Sequence, residues 1–238
     1  MPLFFISWGS VMTILSKIGH VLTTELSKDL LFKKKDNVSD EYPFLENLRK
    51  RRSIYHLGKK VPYQKDELIQ LIKETVSCCP SVQNSQSARV VILLQQSHEQ
   101  FWTMVKDIQR QHMHEKAYEG VALKIDQCCA AYGTVLFFED QQVLQKLQKL
   151  KPLQAEEFKI WSEQSSGMVQ FAVWALFASL GLGAALHHYN PSINTQVIEK
   201  YNLSQHWQLK AQMTFGSILS PADEKICVED DETFLVFS

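Results

Sequence analysis

The sequence predicts an α+β protein in which a single layer of four or five short strands is covered by more numerous helices. Three observations lead there. Apolar runs of strand length alternate with longer stretches of helical spacing, no internal repeat recurs at any period, and 238 residues at 45% hydrophobic and 21% charged suffice for one sizeable core. Nine Gly and seven Pro exclude collagen-like and low-complexity classes. With 25 Lys+Arg against 26 Asp+Glu, the chain lacks the basic footprint that neutralises nucleic-acid phosphates, so DNA and RNA are set aside as partners. Five Cys without CxxC or Cys/His ligand spacing indicate neither a disulfide framework nor a zinc site, and point to a reducing cytoplasm.

The elements follow in chain order. Residues 2–15 form an apolar run too short to span a bilayer, and Lys17 lies behind it where a secretory signal needs a basic residue ahead. A helix over about 9–30, with Met12, Leu15, Ile18 and Leu22 on one stripe, packs on the body or a partner subunit; the alternative is an interfacial membrane helix. Residues 33–41 read as a charged linker, which makes 1–41 an extension and 42–238 the main domain. A short helix from Tyr42 runs into a basic cluster at Arg52, and a second covers Asp66 to Ser77, with Leu68, Leu71, Ile72 and Val76 on one side and Pro80 as its stop. Strands are expected at Ala88–Leu94, Thr134–Phe138, Ala184–His188, Leu209–Phe215 and Thr233–Phe237. Between them come helices at His98–His112, Glu156–Leu180 and Gln196–Tyr201. The long one is apolar nearly all round in its second half, implying enclosure by protein, and Gly181-Leu182-Gly183 supplies its C-cap.

Three patches can carry chemistry. Arg49 to Arg52, followed by Ser53 and Tyr55, combines guanidinium forks with a hydroxyl, the donors a phosphate monoester needs; the plainer reading is a solvated basic face. The stretch from Pro80 to Arg89 holds Ser81, Gln83, Asn84, Ser85, Gln86 and Ser87, whose amides and hydroxyls can read a heterocycle edge or merely build turns. His187, His188, Tyr189 and Asn190 stand at the end of an apolar strand, where pockets are lined. Adjacent histidines face opposite sides of a strand and no third ligand stands near, so a metal site is not indicated.

In combination these patches make the chain resemble the flavin-dependent nitroreductase family from about Leu48 to the C-terminus. Arg51-Arg52-Ser53-Ile54-Tyr55 looks like the family's Arg-Arg-Ser-Ile-Arg motif, with Tyr55 where many members carry Arg or Lys, and Pro80, Ser81, Asn84 and Gln86 match its Pro-Ser-x-x-Asn-x-Gln loop. Residues 161–170, 181–191 and 207–217 are similar to signatures of the branch of fungal fatty-acid-repression-type and bacterial copper-induced nitroreductases. The resemblance implies a nitroreductase-like fold with a mostly antiparallel sheet, in an intertwined homodimer holding two FMN molecules at its interface. Arg51, Arg52 and Ser53 would hold phosphate and ribityl, with Tyr55 beside them, while Ser81, Asn84 and Gln86 would reach the flavin of the partner. Leu186, His187 and His188 would run beside the isoalloxazine. Lys225 looks like a late phosphate-binding lysine, although Glu229 to Glu232 stand where several members have a further Arg.

The implied activity is ping-pong transfer of a hydride from NADH or NADPH through flavin N5 to a small-molecule acceptor such as a nitroaromatic or quinone, with no catalytic acid or nucleophile in the protein. Tyr55 cannot supply a cation to reduced flavin, so that task falls to Arg51 or Arg52, and Arg51→Ala is expected to weaken FMN binding sharply. The alternative is a flavin-binding regulatory or interaction protein with little turnover, docked through the apolar N-terminal helix. Cys78-Cys79 reads as core-type cysteine, Trp161 as a candidate at the pocket mouth, and His112 and His114 as part of a cover over the site.

Overall fold

The computed structural model describes residues 42–228 and 233–237. Residues from 42 to 222 belong to one compact unit and those from 223 onward to a second. The expected N-terminal helix, the charged linker and the acidic run at 229–232 lie outside the described residues.

The first unit reads α1 (Pro43–Lys50), β1 (Leu57–Gly58), α2 (Lys65–Cys78), β2 (Ala88–Leu94), α3 (Gln95–His112), α4 (Glu115–Cys129), β3 (Gly133–Asp140), α5 (Gln141–Leu150), α6 (Ala155–Ser179), β4 (Gly183–His187), α7 (Asn194–Lys200) and β5 (Trp207–Ile218). Single 3-10 turns at Val82–Asn84 and Pro152–Gln154 precede β2 and α6. β5 organises the sheet. It pairs antiparallel with β3 along 207–215, with β4 along 212–216 and with β1 at 217–218, while β2 pairs antiparallel with β3. Residues 212–215 bond to both β3 and β4, so these two strands flank β5 on opposite sides and β2 lies beyond β3. The five-stranded sheet and seven helices form the α+β, nitroreductase-like fold that the sequence predicts.

Every residue of β3 is buried, which is why it reads as a continuous apolar run rather than an alternation. Alternation decides which layer each side chain joins. Leu136 and Phe138 enter a core with Phe101, Trp102, Val105 and Ile108 of α3 and Ile125 of α4. Val135 and Phe137 enter the opposite core with Leu68 and Ile72 of α2 and Val169, Val173 and Phe177 of α6. Phe177 stacks on Phe215 with ring centroids 4.3 Å apart, tying the long helix to the central strand. Gly181, at φ +70, ends that helix. Its N–H donates to Ala178 O at 3.1 Å and the N–H of Leu182 to Phe177 O at 2.8 Å, the paired bonds of a Schellman cap. At the far end of β5 a Cβ on Gly216 would stand 2.3 Å from Gly58 O, so only glycine lets β1 approach.

Several expectations are corrected. No strand forms at Thr233–Phe237, and the short β1 completes the count of five instead. α6 is not enclosed by its own chain: Ser162, Ser165, Ser166, Val169 and Val173 are buried, whereas Met168 and Phe171 on the other face stay 42% and 44% exposed. The segment holding His112 and His114 is a junction between two helices, His112 closing α3 and His114 capping α4. α4 and α5 had no counterpart in the sequence reading. No helix among the described residues is long and apolar enough to cross a membrane.

Candidate active site

The site is assembled where the chain leaves α1. Arg51 N–H donates to Asn47 O at 3.0 Å to close the helix, and the next residues run alongside β4. Ser53 forms a parallel bridge with Ala184, and Ile54 N–H donates to Ala184 O at 2.9 Å. Trp174 of α6 pins both segments, its indole Nε1 donating to Arg52 O at 3.2 Å and Ala184 O at 3.1 Å. The guanidinium of Arg51 lies over the same indole, 4.6 Å from the ring centroid, half-buried and without an ion pair among the described residues. Burial, and then the charge of Arg52, lower its pKa from the usual range, but a guanidinium starting so high remains a cation. A stacked, charged fork with no carboxylate to satisfy it is a seat for an anion.

Two residues beyond Ala184 a cleft of about 630 Å³ opens. Tyr55 and His56 form one side, Lys124, Gln127 and Cys128 of α4 another, and Leu186 to Tyr189 the base. The three α4 residues stand at i, i+3 and i+4 and so share one helix face. His187 is a half-buried polar group at the base of the cleft. Burial, and then His188, push its pKa down to about 4, so the ring is neutral across the working range of pH. Its Nε2 is 3.1 Å from Thr214 Oγ1 and 3.4 Å from Cys128 Sγ. Thr214 Oγ1 lies in turn 3.4 Å from Ala185 O, which ties the imidazole to the backbone of β4. Trp102, Tyr55 and Tyr189 surround the imidazole at centroid distances of 5.7, 6.2 and 6.3 Å. Cys128 is no nucleophile: burial, with Cys129 adding to it, pushes its thiol up to about 12.

The loop from Pro80 to Ser87 is built differently from the ordinary connector its composition also allowed. Gln83, Asn84 and Gln86 all hold left-handed backbone, at φ 49, 53 and 47. The conformation is held from below. Ser81 Oγ accepts from Gln86 N–H at 2.9 Å, Ser165 Oγ of α6 accepts from Val82 N–H at 3.1 Å, and fully buried Glu139 accepts from the hydroxyls of Ser87 and, at 2.8 Å, Ser162. The side chains of Gln83, Asn84 and Gln86 are exposed and make no hydrogen bond among the described residues. Three polar residues on left-handed backbone within four positions, their side chains without hydrogen bonds among the described residues, are a mark of a functional loop.

The structure therefore brings Arg51, Arg52, Ser53 and Tyr55 together with Leu186, His187 and His188. It does not bring Ser81, Asn84 and Gln86 to them. β2 and β4 are separated by β3 and β5, about 14 Å across the sheet. Lys225 belongs to the second compact unit. Trp161 packs edge-on against Phe158 at 5.4 Å and is not part of the cleft wall. Cys78 and Cys79 are free thiols beside Leu71, Met168 and Phe171 in an apolar groove of about 450 Å³ between α2 and α6. His56, Lys124, Gln127 and Cys128 line the cleft but were not among the expected site residues; the helical spacing of the last three was the available signal.

A helix-covered antiparallel sheet, with a basic segment bridged to a strand that ends in an aromatic cleft, defines a protein of the nitroreductase-like class. The nitroreductase family profile matches residues 48–217. The chain belongs to the nitroreductase family, whose members are oxidoreductases. Two proteins of Saccharomyces cerevisiae, HBN1 and the nitroreductase FRM2, are 30% and 28% identical over 193 and 189 residues, each alignment covering 79% of this chain and 94% of the relative. The nitroreductase CinD of Lactococcus lactis, solved with chloramphenicol, is 41% identical with a TM-score of 0.77, over 82% of this chain and all of that one. These likenesses lie in the branch to which the sequence motifs point. A nitroreductase-type chain from Desulfovibrio desulfuricans, solved in complex with FMN, shares the fold at 20% identity and a TM-score of 0.59, over 83% of this chain and 98% of that one.

Proposed function

We propose that the protein is an FMN-dependent NAD(P)H oxidoreductase of the nitroreductase type, working as a cytoplasmic homodimer. One observation carries the reading: the Ser53–Ala184 bridge sets a half-buried guanidinium, without an ion pair among the described residues, beside the strand that ends in an aromatic-walled cleft. The residues fit FMN. Arg51, with Arg52 and Ser53, holds the phosphate end, and the backbone of Leu186 to His188 runs along the ring. The free amides of Asn84 and Gln86, with Ser81 shaping their loop, reach the flavin seated in the other subunit, and Lys225 is a further phosphate ligand. The apolar groove between α2 and α6, with exposed Met168 and Phe171, supplies a surface for that second subunit. Residues 1–41 are an extension to the domain, and the free thiols of the described residues accord with a reducing compartment.

Bound FMN supplies hydride acceptance from reduced nicotinamide and hydride donation to a small-molecule acceptor. The chain's own groups orient and exclude. Tyr55 and Tyr189 wall the cleft with rings, neutral His187 stands at its base, and protonated Cys128 stays inert. FMN in a structure of this fold, and chloramphenicol, nicotinic acid and 4-nitrophenol in structures of CinD, support a flavin and small aromatic guests.

The test is an absorbance spectrum of the purified protein before and after anaerobic addition of NADH or NADPH. A flavin band bleached promptly and restored by a nitroaromatic is the expected result. Flavin that stays oxidised under excess reduced nicotinamide would favour a binding protein with little turnover, and a colourless protein that refuses FMN overturns the reading.

A further inference from the structure

We propose that the cleft selects aromatic acceptors bearing a negatively charged substituent, a carboxylate or phenolate, and that Lys124 of α4 is the residue that reads it. The proposal rests on the assignment of the cleft as the acceptor site. Its walls are rich in rings: Tyr55 and Tyr189 lie within 6.3 Å of the His187 centroid, tilted 64° and 29° to the imidazole. A planar guest fits such walls. Its charge is one-sided. Tyr55, His56, Lys124, Gln127, Cys128, Leu186, His187, His188 and Tyr189 include no Asp or Glu, and Lys124 is the permanent cation among them.

That cation is uncommitted. Lys124 has no ion pair among the described residues, and the acid two positions on, Asp126, is held by both oxygens to Lys106 of α3 at 2.6 and 2.7 Å. The pairing takes α4's nearest carboxylate away from the cleft face. Nothing inside the cleft cancels the lysine either, because the Cys128 thiol is protonated and buried His187 is neutral. Gln127, three residues along the same face, adds a carboxamide that can donate to a second oxygen of the guest. An ammonium on a four-carbon stem beside aromatic walls recognises a ring by its charged substituent, leaving the reducible group free to meet the flavin.

The experiment uses the flavin-loaded full-length protein and a matched pair of probes, 4-nitrobenzoate and 4-nitrobenzamide, which differ in charge and hardly in shape. The wild type is expected to show the higher kcat/KM for nitrobenzoate. Lys124→Met should lower the nitrobenzoate-to-nitrobenzamide ratio about five- to tenfold, the range for a partly exposed charge-assisted contact. Lys124→Arg should restore it, and Lys116→Met, an exposed charge elsewhere on α4, should not move it. Calorimetric titration with benzoate and benzamide reads the same contrast without turnover, and the preference should fade as salt screens the pair. An unchanged ratio together with an unchanged benzoate Kd in Lys124→Met overturns the proposal. So does a matching rise in KM for the nicotinamide donor, which assigns the charge to dinucleotide phosphates. Equal slowing of both probes with a shifted flavin potential also overturns it, placing the charge on the flavin. A protein that binds no FMN defeats the functional reading itself, a result that the spectrum reports separately.

Discussion

Replacing Gln86 by glycine should make the apoprotein more stable and the flavin less tightly held, two effects of opposite sign from one substitution. Gln86 sits at φ 47, where a side chain costs roughly 1–2 kcal/mol against the backbone. Glycine removes that cost but returns roughly 0.5–1 kcal/mol through the greater freedom of its unfolded chain. The net gain is about 0.5–1 kcal/mol, a rise in melting temperature of about 1–4 °C for a domain of this size. The backbone bonds that hold the loop, Gln86 N–H to Ser81 Oγ and Gln86 O to the Arg89 guanidinium, survive the change. What disappears is an exposed carboxamide with no partner among the described residues. If it meets the flavin of the other subunit, the loss of one hydrogen bond weakens FMN about fivefold. Gln83→Gly is the internal control: it shares the left-handed backbone and the exposure but has no assigned contact, so it should stabilise without touching affinity. Melting is followed by circular dichroism on apoprotein, since bound FMN would add its own stabilisation. FMN affinity is read by fluorescence quenching. A Gln86→Gly protein that melts below wild type, or that binds FMN as tightly, would refute the reasoning.

Further expectations concern the seat, the floor and the support of the site. Arg51→Ala should weaken FMN retention at least tenfold with a stability loss of only about 1 kcal/mol from the lost stack on Trp174; equilibrium dialysis showing full occupancy at submicromolar FMN would remove Arg51 from the site. Glu139→Ala strands the hydroxyls of Ser87 and Ser162 in a fully buried place and should cost about 2–4 kcal/mol in urea unfolding. Glu139→Gln retains an acceptor for both and should cost less than about 1 kcal/mol; equal losses in the two variants would deny the network its role. His187 titrates near 4 when folded against an ordinary value near 6.5, so the unfolded chain takes up the proton first. Its stabilising contribution is present above about pH 6.5 and lost as pH falls towards 4, a loss of the order of 3 kcal/mol. His187→Gln should flatten the acid arm of the stability profile between those limits, and parallel profiles would show that the imidazole is not buried in its neutral form.

Local signals account for much of the fold. Ala88–Leu94 forms a strand with the bounds its apolar run suggests, and Gly181 caps the long helix as its position implies. α5 carries Val143, Leu144, Leu147 and Leu150 at helical spacing, but the Gln and Lys residues between them give it the look of a polar connector. α4 hides behind Gly120 and two adjacent cysteines, although Val121, Ile125 and Cys128 mark its buried side. The run TFLVF at 233–237 has strand composition without forming a strand, since β-prone residues state a preference for a pleated, half-buried surface and do not provide the neighbouring strand.

The site was legible as three patches and illegible as an arrangement. Nothing in Arg51 to Tyr55 announces that Ser53 will bridge to Ala184, more than a hundred residues later; that pairing depends on Trp174 donating to the carbonyls of both segments. The state of His187 is equally non-local, because its neutrality comes from the packing of Trp102, Thr214 and Cys128 around it. Sheet order then explains why the second patch stands apart. With β3 and β5 between them, the loop before β2 and the end of β4 cannot close on one ring within a chain. The side chains of Asn84 and Gln86 nevertheless make no hydrogen bond among the described residues, on a strained backbone that Ser81, Ser165 and Glu139 hold in place. A loop so costly, with these amides unsatisfied among the described residues, makes sense if its partner groups arrive from outside, which is what the proposed second subunit would supply.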